Sequence, residues 1–217
     1  MKVTERVQII IEEMQKLYPN PQIPLTHTNN FTFLIAVVLS AQSTDKKVNE
    51  LTPPLFKQAS DPYQMYQLGE RRIYNHIREL GLSRRKAKYI SQLSEIIYTK
   101  YQSEIPSNFI DLESLPGVGH KTASVIMSQA FGVPTFPVDT HIHRVSQRWE
   151  LTDGRNVIQT EKDLKRLFPR NKWNKLHLQM IFYGREYCTS RGCDGTKCKL
   201  CKTLFPYRAK SIICHKP

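Results

Sequence analysis

The stretch Leu115-Pro116-Gly117-Val118-Gly119-His120-Lys121-Thr122-Ala123, followed by Val138-Asp139-Thr140-His141, decides the reading of this chain. Apolar spacing predicts a short helix around 109–115 and a second from His120 to about Phe131, with the glycines in the turn between them. That arrangement is helix, hairpin, helix. Gly117 and Gly119 permit positive φ, and with Val118 between them they present backbone N–H groups that no side chain covers. The next helix adds the positive end of its dipole, so the turn can seat a phosphate, although it reads no base sequence. Lys121 lies in that helix's first turn, where the dipole and partial burial together favour a neutral amine able to attack an electrophilic carbon. Taken alone, the same residues also fit a plain tight turn and a solvated lysine.

The rest of the chain narrows these options. It holds 32 Lys and Arg against 19 Asp and Glu, a formal charge of +13, which points to a polyanionic partner, nucleic acid first and an anionic membrane surface second. The charge is concentrated: from Arg170 onward there are eleven Lys/Arg and two Asp/Glu. The N-terminus lacks the apolar core of a signal peptide. The apolar run from Phe31 to Leu39 is too short to span a bilayer, so an intracellular protein, cytoplasmic or nucleoid-associated and without a membrane partner, is expected.

Helical periodicity dominates and no alternating strand pattern stands out, so the fold expected is all-α. Thr4 can cap a first helix with Val7, Ile10, Ile11, Met14 and Leu17 on its apolar face. Phe31 to Ala41 is apolar nearly all round, as suits a helix at a domain's centre. Ser43-Thr44-Asp45 caps another helix, which Pro53-Pro54 should break or restart after Leu51. Asp61-Pro62 opens a short helix, Glu70 to Glu79 forms the next, and Ser83 starts a longer one carrying Ala87, Ile90 and Ile97 inward. Prolines in 20–30 and 132–137 mark crossovers. Two helical domains follow: 23–134, barrel-like and containing the helix-hairpin-helix (about 109–131), and 1–22 with 135–217. Asp139 and Thr140 begin a helix through Arg148, Thr160 with Asp163 makes a capping box, and Asn174 to Tyr187 forms the last long helix. The tail beyond reads as irregular.

All five cysteines lie in that tail, as Cys188-x4-Cys193-x4-Cys198-x2-Cys201-x12-Cys214. In a reducing compartment such a cluster binds metal more readily than it forms disulfides. Four thiolates within fourteen residues suit a tetrahedral zinc or a cubane iron-sulfur cluster, and spacing does not separate the two.

The segments 115–123 and 138–145 closely resemble the signature of the helix-hairpin-helix DNA glycosylases, in particular the endonuclease III family. The resemblance extends to Leu39-Ser40-Ala41-Gln42-Ser43-Thr44-Asp45 and to Gly81-Leu82. It implies two helical domains flanking a DNA-binding cleft and a base excision repair enzyme, both glycosylase and abasic-site lyase. Its partner is duplex DNA carrying an oxidised pyrimidine or an abasic site, and a monomer is expected. By the same resemblance Lys121 attacks C1′ of the damaged nucleotide and forms an imine, and β-elimination then cuts the strand. Asp139 stabilises charge on the sugar. Gln42 and Leu82 fill and wedge the duplex at the vacated position, while Gly117, Val118, Gly119, His141 and Arg144 contribute DNA contacts.

The resemblance also implies a [4Fe-4S] cluster in the C-terminal loop, with zinc or no metal as alternatives. Here the chain departs from the family's usual Cys-x6-Cys-x2-Cys-x5-Cys: with five residues intervening after Cys201, the next position is Tyr207. The quartet expected is Cys188, Cys193, Cys198 and Cys201, with Cys214 in place of Cys193 as the second choice. The cluster would pin a loop (188–201) that presents Arg191, Lys197, Lys199 and Lys202 to phosphates. Two rivals remain at this point: a sister glycosylase of different base specificity, and a non-enzymatic hairpin module that only binds DNA structure.

Overall fold

In the computed structural model, which describes residues 1–216, every regular element is helical. The order is α1 (Val3–Leu17), α2 (Asn30–Ser40), α3 (Asp45–Gln58), α4 (Pro62–Ile77), α5 (Ser83–Lys100), α6 (Phe109–Ser114), α7 (His120–Gln129), α8 (Thr140–Arg148), α9 (Val157–Leu167), α10 (Trp173–Glu186) and α11 (Lys199–Leu204). A single 3-10 turn at Arg170–Lys172 leads into α10. The chain divides into two compact units, Ile23–Gly132 and Met1–Gln22 with Val133–Pro217.

Short polar side chains start most of these helices. Asn29, Asp61, Asn108, Asp139 and Asn156 each accept the N–H three residues on at 2.8 to 2.9 Å, and Thr44 does so at 3.3 Å, satisfying a donor that the helix itself cannot. In the Ile23–Gly132 unit α2 is the hub. All nine residues from Phe31 to Val38 and Leu39 are buried, and the helix touches α3, α5 and α7, which is why its sequence is apolar on every side.

In the other unit α1 packs on α10 and α11, and α8 packs on α10 and α9. Its core is built on Ile10, Met14, Ile142, Val145, Trp149, Leu164 and Met180, with the Trp149 ring meeting Tyr183 edge-on at 5.6 Å.

Four local expectations are corrected. Helix α3 runs straight through Pro53 and Pro54. Both prolines lie on the exposed side of the helix while Leu55 and Phe56 are buried, and their fixed φ is already helical. The cap of α9 is Asn156 rather than Thr160, which lies inside the helix and uses its hydroxyl on the Asn156 carbonyl at 3.1 Å. Helix α1 begins before Thr4, with Lys2 as its cap residue and the Glu5 carboxylate accepting the Lys2 N–H at 2.9 Å. The cysteine-rich tail contains α11, whose buried Leu200, Cys201 and Leu204 have the spacing of a single helical face.

Candidate functional site

The hairpin between α6 and α7 is built from beneath. Leu112, Leu115 and Val118 are buried under it, and the Leu115 and Val118 N–H groups donate to the carbonyls of Leu112 and Leu115, both at 3.1 Å. Val118 is therefore turned away from solvent, with its N–H donated within the turn. Gly117 has φ +81°, and a Cβ there would stand 2.8 Å from Cδ2 of Tyr89, so both conformation and space require glycine. Tyr89 was not singled out from sequence, yet its ring is the floor on which Gly117 rests.

Gly119 caps α7 without a side chain, unlike the polar caps above, and so makes no side-chain cap hydrogen bond to the first turn. His120 is held by Glu113 across the turn, Nδ1 to Oε1 2.7 Å, and stacks on Phe109 at 5.6 Å. Lys121, next along, is exposed rather than partly buried as expected. A helix N-terminus with uncovered amides and a projecting amine can hold an anion and present a nucleophile beside it.

Elsewhere in the same unit, Gln42 and Leu82 share an uncommon backbone. Both are non-glycine residues with positive φ, 53° and 58°, and both side chains are exposed. The two turns touch: a Cβ on Gly81 would lie 3.3 Å from the Gln42 carbonyl oxygen. Behind them Lys86, only 3% exposed, donates to the Leu39 carbonyl and the Ser43 hydroxyl, each at 2.9 Å. Sequence reading passed over Lys86 because it sits in the basic run Arg84, Arg85, Lys86, Lys88. The available signal was its register, four residues before Ile90 and seven before Leu93, both fully buried.

In the second unit Asp139 caps α8, is 9% exposed, and accepts the Ile142 N–H at 2.8 Å. Helix α8 is seated on α10 at Gly184, where a Cβ would come within 3.1 Å of the His141 Cβ. Arg144 donates from Nε to the Cys188 carbonyl at 3.2 Å and from Nη2 to the Gly184 carbonyl at 2.7 Å, with His141 Nδ1 at 3.3 Å. Its guanidinium is thus occupied in tying α8 to the end of α10 and to the first cysteine. Arg148 continues the tie to the carbonyls of Cys188 and Thr189 at 3.0 and 2.8 Å.

The sulfur atoms of Cys188, Cys193, Cys198 and Cys201 all lie within 4.8 Å of one another. Cys188, Cys193 and Cys201 are buried and Cys198 partly so. Cys214 is placed elsewhere. Its thiol approaches the Arg144 carbonyl at 3.7 Å, in a strand of tail fixed to α8 by His215 N to Gln147 Oε1 at 2.7 Å. Thiols packed so tightly cannot all ionise together. Hydrogen bonds from Cys188 and Cys201 hold the Cys198 thiol below its ordinary range, while the bond to Cys198 pushes the Cys188 thiol up. A metal centre that replaced those protons would remove the conflict, so the donor set fits a metal centre. Lys197 and Lys199 are exposed but already paired, with Asp194 at 3.6 Å and Glu13 at 3.0 Å.

Residues 35–170 match the HhH-GPD superfamily of base excision DNA repair proteins. Over 89% of its length the chain is 42% identical to an endonuclease III from Treponema pallidum, covering 92% of that protein. The endonuclease III of Bacillus subtilis is 36% identical, with 90% of each chain covered. This chain belongs to the endonuclease III family. A solved endonuclease III, trapped as a covalent intermediate with DNA, superposes with a TM-score of 0.86 at 39% identity, covering 92% of this chain and 94% of that one. In the cysteine loop of this chain Cys193 joins the group of four, and residue 207 is a tyrosine. Among the described residues no helix is long and apolar enough to cross a membrane.

Proposed function

We propose that the chain acts on duplex DNA bearing an oxidised pyrimidine or an abasic site, with Lys121 as the nucleophile. The enzyme is a base excision DNA glycosylase and abasic-site lyase of the endonuclease III family. The observation that carries the assignment of the nucleophile is the exposed Lys121 in the first turn of a helix capped by Gly119 alone. In this reading a phosphate sits on the uncovered amides and brings its sugar to the amine.

The Lys121 amine forms a bond to C1′ as the glycosidic bond breaks and the base leaves with a proton. Ring opening gives an imine between Lys121 and the sugar. Loss of a C2′ proton then expels the 3′ phosphate, and water releases the lysine. Asp139 stabilises positive charge developing on the sugar and assists the proton transfers. Gln42 and Leu82 occupy the space of the extruded nucleotide and wedge the opposite strand, offsetting part of the unstacking free energy. His141 and Arg144 support the catalytic segment. Lys197 and Lys199 reach phosphates by exchanging their acidic partners. The enzyme works as a monomer inside the cell.

Cys188, Cys193, Cys198 and Cys201 would hold a [4Fe-4S] cluster, which when bound pins the 188–201 loop against α8 and α10. A nicking assay on an abasic duplex, run with a panel of lesion-bearing duplexes, tests the proposal. Cleavage at abasic sites and at oxidised pyrimidines is expected. DNA binding without cleavage would leave only a structure-binding module, and cleavage restricted to another lesion class would mark a sister glycosylase.

A further inference from the structure

Lys86 is a buried ammonium in the Ile23–Gly132 unit, and among the described residues no carboxylate pairs with it. Placing such a charge in the interior is unfavourable, and an apolar side chain of the same length would fill the space at lower free energy. What the ammonium does is bond. Leu39 is in the last turn of α2, where carbonyls lack partners within the helix. The N–H that would ordinarily reach Leu39, that of Ser43, goes instead to the Ser40 carbonyl at 3.0 Å. Lys86 takes the Leu39 carbonyl in its place and bonds the Ser43 hydroxyl at the same time. Its position at the negative end of the α2 dipole favours the charge, while burial lowers its pKa from the ordinary lysine value.

Both ends of this bridge lead to left-handed residues. Ser43 follows Gln42, and the Lys86 N–H donates to the carbonyl of Leu82 at 2.9 Å, closing the first turn of α5. Positive φ at two side-chain-bearing positions is unfavourable and persists only where the surroundings hold it. We propose that Lys86 is a positioning residue: by joining α2's last turn and Ser43 to the start of α5, it holds the Gln42 and Leu82 turns against each other. The pair then enters the duplex as one preformed unit. This rests on the reading that Gln42 and Leu82 fill the DNA at the lesion.

The test uses the full-length protein and two substrates, an abasic site in a duplex and the same site in a single strand, which has no opposite strand to wedge. Lys86→Met should lower duplex cleavage by about tenfold or more, equivalent to roughly 1.4 kcal/mol, while single-strand cleavage stays within about twofold of wild type. A 2-aminopurine opposite the site should lose its unstacking signal in the same variant, and Lys86→Arg should restore part of it. Equal loss on both substrates, or no loss on the duplex, would overturn the inference. Should Lys86→Met fail to fold, Ser43→Ala decides: a lowered duplex-to-single-strand ratio supports the proposal, and an unchanged ratio contradicts it. Gln42→Ala and Leu82→Ala separate the two layers. If neither lowers duplex cleavage, the reading of those residues fails; if both do and a folded Lys86→Met does not, only the role of Lys86 fails.

Discussion

Asp139 Oδ1 accepts the backbone N–H of Ile142 at 2.8 Å, so the carboxylate assigned to the sugar is also the cap of α8. The two roles separate by substitution, because asparagine caps a helix as well as aspartate but carries no charge. Asp139→Asn should unfold at the wild-type urea midpoint while base release falls by about 10²-fold. Asp139→Ala should lose the same activity and, in addition, about 1 kcal/mol of stability. Equal destabilisation by both substitutions would mean that the charge of Asp139, and not its capping oxygen, supports the helix.

Gly117 rests on the Tyr89 ring with φ +81°. Gly117→Ala meets both the clash and the left-handed conformation, the latter worth roughly 1–2 kcal/mol, and should weaken DNA binding. Losing one phosphate seat flattens the slope of log affinity against log salt by about one. Adding Tyr89→Ala removes the 2.8 Å contact with Cδ2 but leaves the residue-89 Cβ at 3.1 Å and the backbone strain, so binding should return only in part. Fluorescence anisotropy titrations over a range of salt read both quantities.

Cysteine substitutions distinguish the quartet from the fifth thiol. Cys193→Ser should lose iron and the broad absorbance near about 400 nm in protein prepared without oxygen, whereas Cys214→Ser should keep both. Iron lost on replacing Cys214 and retained on replacing Cys193 would reverse the assignment.

Lys86 also makes a pH signature. Its folded-state pKa lies below the ordinary value of 10.5 because of burial. Between those two values the unfolded chain binds more protons than the folded one, so this group contributes stability that grows as pH rises through that window. Replacing it with methionine removes the contribution. The change in urea midpoint between about pH 8 and about pH 10 should therefore be more favourable for wild type than for Lys86→Met. Parallel changes in the two proteins would count against a charged, buried Lys86.

The legible parts of the fold were those where side-chain chemistry and local geometry agree. The glycines, the buried run of α2 and the Asp-Pro start of α4 each admit few conformations, and they fix the helix-hairpin-helix and the all-helical class. Pro53 and Pro54 misled because a break depends on which side of the helix the prolines lie, and here both are on the exposed side. The cap of α9 was displaced by one turn because Asn156 and Thr160 are both good caps, and the burial that places Thr160 inside the helix is a tertiary fact. Lys86 and Tyr89 were hidden for a related reason. A lysine in a basic run and a tyrosine on a mixed helix look like surface residues until the partner they touch, α2's end or Gly117, is in place.

The central claim is that Lys121 supplies the amine. Borohydride reduction of reacting mixtures traps the imine as a stable protein–DNA conjugate, and a gel shift reads it directly. Wild type should be trapped on both oxidised-pyrimidine and abasic duplexes, and Lys121→Ala, still folded and still binding DNA, on neither. Trapping of Lys121→Ala at wild-type efficiency would contradict the account.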